Sequence, residues 1–152
     1  MASLQSDAEM LENAIRSFAQ TIKRPQRWAT IMAETGISLD RPSAVILYKL
    51  IEHEPKQMRV QDLARELGIE PPSVTRKTQM LEELGYLTRQ PDAHDKRAVS
   101  LRVTPAGHKV TKKLWAAQRQ KMVQVLEGWP ANERRQLAEL LGRFSKELNE
   151  TI

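Results

Sequence analysis

The sequence predicts a mainly α fold with a small β-hairpin, and three observations carry that prediction. Leu4, Ala8, Leu11, Ile15, Phe18 and Ile22 recur at spacings of four and three, the period of one helix face. Glycines at 36, 68, 85 and 128 and prolines at 25, 55, 71, 105 and 130 fall where such faces would stop or restart. A two-residue alternation is found at 99–103, where Val99, Leu101 and Val103 are apolar and Ser100 and Arg102 polar. With 152 residues, 40% of them hydrophobic, the chain can fill one ordinary core and has no length for a second large domain.

Composition narrows the functional classes. A net charge of +5 favours polyanionic partners through long-range attraction. The absence of cysteine excludes disulfides, thiolate metal sites and sulfur redox switching. No segment approaches the ~20 apolar residues of a membrane span, so a cytoplasmic protein with no membrane partner is expected.

The first helix should break near Arg24, because Pro25 lacks a donor and disfavours helical geometry in the residue before it. Trp28, Ile31 and Met32 resume an apolar face that Gly36 ends. Asp40 is placed to cap a helix carrying Ala44, Leu47, Leu50 and Ile51 inward, stopped by Pro55. A short helix from Val60 buries Leu63, Ala64 and Leu67. Gly68 then supplies a turn, and a further helix from Pro71 or Pro72 buries Val74, Leu81 and Leu84 before Gly85 closes it. Tyr86, Leu87 and Thr88 enter a first strand, residues 90–97 form a polar tip, and Val99 begins the second strand.

Thr104 and Pro105 have the chemistry of a helix start, a hydroxyl cap followed by a residue with no donor to satisfy. The long helix that follows carries Val110, Leu114, Met122 and Val125. After Gly128, Pro130 starts a last one lined by Leu137, Leu140, Leu141, Phe144 and Leu148. These terminal helices carry more apolar surface than a lone hairpin of helices hides, so Leu11, Ile15, Phe18, Leu141, Phe144 and Leu148 are candidates for dimerisation. Two short helices, a glycine turn and a basic ribbon in this order spell a winged helix-turn-helix, set in a helical dimerisation region. Residues 37–103 form the former, and 1–36 with 104–152 the latter.

Rotation of the Pro71–Leu84 helix at about 100° per residue, with Val74 and Leu81 inward, turns Pro72, Arg76 and Gln79 outward and leaves Ser73 and Thr75 flanking. Arginine can offer paired hydrogen bonds to guanine and glutamine to adenine, while Ser73 and Thr75 suit phosphates or either base. A merely solvated helix face is the competing reading. Charge order argues against it: Arg76 and Lys77 come early and Glu82 and Glu83 late, opposite to what the helix dipole prefers but right for an amino-terminal half that meets phosphate. Arg89, Lys96, Arg97 and Arg102 add positive charge to the ribbon; Arg89, Lys96 and Arg97 are candidate DNA contacts, with Arg97 the candidate for a minor groove. Asp92 and Asp95 would repel phosphate if free, so each is expected to pair with Arg97 or another base and orient it.

On these residues the sequence resembles the MarR family of bacterial transcription regulators. The likeness runs through Leu63-Ala64, Gly68-Ile69, Ser73-Val74-Thr75-Arg76, Leu84-Gly85-Tyr86 and Asp92-Ala93-His94-Asp95-Lys96-Arg97, then Val99-Ser100-Leu101 and Thr104-Pro105-Ala106-Gly107. The resemblance implies a homodimer with interlocked terminal helices. Its two reading helices would sit ~34 Å apart on an inverted-repeat operator of double-stranded DNA. It also implies repression, relieved by a small aromatic or phenolic effector. Trp28, Tyr48 and Trp115 could line a pocket for one, but aromatic residues at helical positions are more often core, so no effector residues are assigned. Thr78 departs from the aliphatic residue usual in the family and could bond back to the Val74 carbonyl.

His53, His94 and His108 are scattered without metal-ligand spacing, and no phosphate loop, framed serine or catalytic carboxylate pair is present. No metal, cofactor or enzymatic activity is therefore expected. The remaining rival is a winged domain serving as a protein-interaction or architectural module without sequence-specific DNA binding.

Overall fold

The computed structural model describes residues 3–92, 94–95 and 97–151. It consists of α1 (Leu4–Ile22), α2 (Pro25–Thr35), α3 (Arg41–Glu52), β1 (Met58–Arg59), α4 (Val60–Leu67), α5 (Pro71–Glu83), β2 (Leu87–Pro91), β3 (Val99–Val103), α6 (Pro105–Leu126) and α7 (Ala131–Thr151). The chain divides into two compact units, Met1–Ala117 and Gln118–Ile152.

Helix boundaries in the first unit follow local chemistry. The side chain of Ser3 accepts from Ser6 N–H and starts α1, and Pro25 occupies the first turn of α2, so the break falls where expected. Asp40 caps α3 by accepting from Ser43 N–H at 2.8 Å. Gly36 and Gly68 close α2 and α4 at φ 68° and 62°, a left-handed conformation that costs a residue with a Cβ. After Gly68, Ile69 N–H folds back onto the Ala64 carbonyl at 3.0 Å, setting the tight turn between α4 and α5.

One core holds this unit together. Leu47, Leu63, Val74, Leu81 and Leu87 are fully buried in it, and Ile31 of α2 and Leu114 of α6 belong to the same cluster. The flanking helices thus complete the hydrophobic interior of the central segment. Gly107, in the first turn of α6, lies hard against the Tyr86 carbonyl, where a Cβ would have no room. Thr104 locks that junction: its hydroxyl donates to the Gly85 carbonyl at 2.6 Å and accepts from Gly107 N–H at 3.0 Å.

The sheet differs from the expected two-stranded hairpin. It has three antiparallel strands in the order β1-β3-β2, with Met58 opposite Leu101 and Arg59 opposite Ser100 on one side, and Leu87 opposite Val103 on the other. β1 is two residues long, too short for alternation to announce it. Its presence makes β3 the central strand and alters its burial. Ser100 is 0% exposed, whereas Val99, opposite Pro91 at the outer end of the ribbon, is 45% exposed. Leu101 and Val103 do face the core. Leu84 likewise departs from expectation at 46% exposed: it keeps helical geometry, its N–H bonded to the Met80 carbonyl at 3.0 Å, but at 100° per residue it lies about 80° round the helix from Val74.

In the second unit, Gly128 at φ 86° separates α6 from α7, and Arg134 N–H bonds to the Pro130 carbonyl at 3.1 Å as α7 begins. No described residue of α7 is buried, and Leu137, Leu140, Leu141 and Leu148 are exposed. Met122 and Val125 of α6 are also exposed. In the first unit, α1 has no buried residue, although Ala19 and Ile22 are half-buried, and Leu11, Ile15 and Phe18 are open to solvent. Among the described residues no helix is long and apolar enough to cross a membrane.

Candidate nucleic-acid interface

The helix pair α4–α5 and the ribbon β2–β3 present two sets of polar side chains, sorted by whether the protein uses them itself. Arg76 and Gln79 are exposed and have no side-chain partner among the described residues, and the same holds for Arg97 and Arg102. Pro72 is exposed beside them at the start of α5, and Ser73 is half-buried. The Thr75 hydroxyl donates to the Pro71 carbonyl at 3.0 Å, which leaves its oxygen able to accept but spends its proton.

The other set ties the presenting elements in place. Lys77 pairs with Asp40, the residue that caps α3, and so anchors α5 to its neighbour. Burial would raise the Asp40 pKa, but hydrogen bonds from Lys77 and Ser43 outweigh it, and the carboxyl titrates below its ordinary value. Arg89 of β2 reaches back to α5, its Nε–H donating to Glu82 Oε2 at 3.0 Å and its Nη2–H to Thr78 Oγ1 at 3.1 Å. Thr78 is fully buried, and its hydroxyl donates to the Thr75 carbonyl at 3.0 Å. That corrects the expected bond to Val74, since the hydroxyl has turned toward the carbonyl three residues back.

Asp92 organises the tip of the ribbon. Its two oxygens accept from Arg59 Nε at 3.2 Å and Nη2 at 3.1 Å, from Ser100 Oγ at 2.6 Å, and from the backbone N–H groups of His94 and Asp95 at 2.9 and 3.0 Å. The Arg59 fork, then Ser100 and the backbone donors, hold this carboxyl far below the usual carboxylate range. The partner of Asp92 is therefore Arg59 rather than Arg97. Arg59 was not singled out in the sequence because the strand that carries it is only two residues long. Asp95 lies 3.9 Å from the same guanidinium and accepts from Arg97 N–H at 3.0 Å, so it holds the backbone of Arg97 rather than its guanidinium. Lys96 lies outside the described residues.

The model of the MarR family matches residues 39–99, from the residue before the Asp40 cap to the first residue of β3. That segment is similar to the MarR family. Solved structures extend the likeness in fold over nearly the full length. A MarR family protein from Bacillus stearothermophilus superposes with a TM-score of 0.83 at 22% identity, covering 97% of this chain and 99% of that one. The transcriptional regulator BldR from Sulfolobus solfataricus gives 0.72 at 19% identity, over 99% of each chain. A MepR mutant from S. aureus, solved bound to an oligodeoxyribonucleotide, gives 0.60 at 19% identity, over 91% of this chain and 97% of that one.

The three aromatic residues considered for an effector pocket do not gather into one. Trp28 Nε1–H donates to the Leu39 carbonyl at 2.7 Å. Tyr48 and Trp115 stack on each other with ring centroids 4.4 Å apart and tilted by 46°. An open cleft of about 420 Å³ is lined instead by residues that include Leu50, Gln57, Val103 and His108. Among the described residues no three potential ligands from His, Asp and Glu converge as for a metal ion.

Proposed function

We propose that this chain is a homodimeric transcription regulator of MarR type, a repressor that recognises an inverted-repeat operator and is released by a small aromatic or phenolic effector. The observation that carries the reading is the division of labour on α5 and the ribbon. Among the described residues, Arg76, Gln79 and Arg97 are left without side-chain partners, while Lys77, Arg59 and Asp92 are spent on holding the surface that presents them. A solvated face tuned for stability alone would place acids, not Arg76, near the helix start. Arg76 and Gln79 read base edges, Pro72, Ser73 and Thr75 approach the phosphates beside them, Arg97 serves the neighbouring minor groove, and Lys96 adds a contact that is the same for every sequence.

Residues 37–103 are the reading domain, and 1–36 with 104–152 supply dimerisation. Leu11, Ile15 and Phe18 on α1 and Leu141 and Leu148 on α7 are exposed, with Phe144 half-buried between the latter two; a second copy of the chain would cover such surfaces. Repression and effector release follow the family.

The test is selection of duplexes from a random pool by the purified protein, followed by titration at two salt concentrations. A regulator selects an inverted repeat and binds it roughly 10³-fold or more tightly than random duplex, with affinity for both falling steeply as salt rises. Equal affinity for every duplex would make the domain an interaction or architectural module instead.

A further inference from the structure

We infer that Arg89 is a positioning residue that sets the rotation of the recognition helix, and that it does so by gripping Thr78 and Glu82 rather than by binding phosphate. The inference rests on the DNA-reading function proposed above and adds to it the device that keeps α5 in register with the ribbon.

Arg89 lies in the middle of β2, opposite Leu101 of the central strand, so its backbone is held by the sheet. Its guanidinium spans one turn of α5. Thr78 and Glu82 are four residues apart on the same helix face, and the arginine fork gives one donor to each, at 3.1 and 3.0 Å. The hydrogen-bonding capacity of Thr78 matches this use. Its single proton goes to the Thr75 carbonyl, leaving only acceptor positions, and these face a residue that can only donate. A buried hydroxyl in that place has a cost unless its oxygen is engaged, so the threonine and the arginine satisfy each other.

Leverage explains why this matters for reading DNA. A helix rotation of about 10° displaces a group roughly 6 Å from the axis by about 1 Å, enough to break a hydrogen bond. Arg76 and Gln79 flank Thr78 in sequence and turn with it. Arg89 is only 28% exposed along its side chain and two of its N–H groups are already used internally.

The experiment uses the duplex that the wild-type protein selects and a random duplex of equal length, each titrated over a range of salt. Arg89→Gln should lower the preference for the selected duplex by roughly tenfold, while the dependence of log affinity on log salt keeps its slope. A phosphate ligand would instead lower affinity for both duplexes alike and reduce the slope by about one. Arg89→Lys keeps the charge without the fork and should lose the preference as Arg89→Gln does; rescue by lysine would overturn the inference. Thr78→Val should reproduce the loss, and the double variant should be no worse than either single one.

Urea unfolding of the wild-type protein, Arg89→Gln, Thr78→Val and their double variant reads the brace without DNA. The midpoints of the two single variants should combine non-additively, and strict additivity would overturn the inference. Failure of the wild-type protein to select any duplex would refute the proposed function, and the unfolding cycle would still decide the brace.

Discussion

The same substitution should have opposite signs at two glycines of this chain. Gly107→Ala puts a methyl group against the backbone carbonyl of Tyr86 and Cγ1 of Val103, and the carbonyl cannot move freely because it accepts from Thr104 N–H at 3.0 Å. Overpacking of this kind costs about 1–3 kcal/mol. Displacing Thr104 would also weaken the cap of α6, worth about 1 kcal/mol. The helix propensity of alanine returns at most about 1 kcal/mol, so Gly107→Ala should destabilise the protein by about 1–3 kcal/mol.

At Gly142, inside α7, a Cβ meets nothing within 4 Å and φ is not positive. There only the propensity remains, and Gly142→Ala should stabilise the helix by about 0.5–1 kcal/mol. Urea unfolding followed by circular dichroism at one fixed protein concentration measures both; with a slope of about 2 kcal/mol per molar, the Gly107→Ala midpoint should fall by roughly 0.5–1.5 M. If Gly107→Ala raised the midpoint as Gly142→Ala does, the close approach of α6 to Tyr86 would be wrong.

Other perturbations address the interface directly. Arg76→Ala should cost about 1–3 kcal/mol of binding to the selected duplex and relax preference at one base pair; unchanged preference in a competition titration would remove Arg76 as a base reader. Charged replacements at Leu11 and Phe18 together should give monomeric or poorly folded protein with weak DNA binding, and an unaltered dimer in sedimentation would count against the α1 seam. Asp92 supplies a pH prediction. Its folded-state pKa is depressed below the ordinary 3.8, so its contribution to stability is complete above that value and is lost as pH falls toward the folded-state pKa. Asp92→Asn should therefore weaken the ribbon at neutral pH and flatten the acid limb of the stability profile; an acid limb as steep as that of the wild-type protein would show that the Arg59–Asp92 latch does not hold the ribbon.

The parts of the fold that could be read from the sequence are those set by neighbours in the chain. Pro25, Gly36, Asp40, Gly68 and Gly85 act through backbone geometry and bonds spanning a few residues, and the helix limits fall where they require. The outward stripe of α5 was also legible, because Val74 and Leu81 fix the inward line and the rest follows from 3.6 residues per turn. Burial in the ribbon was not, since Ser100 is covered and Val99 open only because a two-residue strand pairs on the far side of β3.

The division of the charged residues into working and bracing sets needed the tertiary structure for the same reason. Arg59 meets Asp92 across 33 positions, Lys77 meets Asp40 across 37, and Arg89 meets Thr78 across 11, separations over which no periodicity carries information. Sequence alone determined where the helices form and the inward line of α5, because those depend on local torsion and the repeat of apolar residues. Which arginine is free to meet a ligand and which is already occupied was decided only by the folded chain, since a guanidinium takes whatever carboxylate or hydroxyl the packing brings within reach.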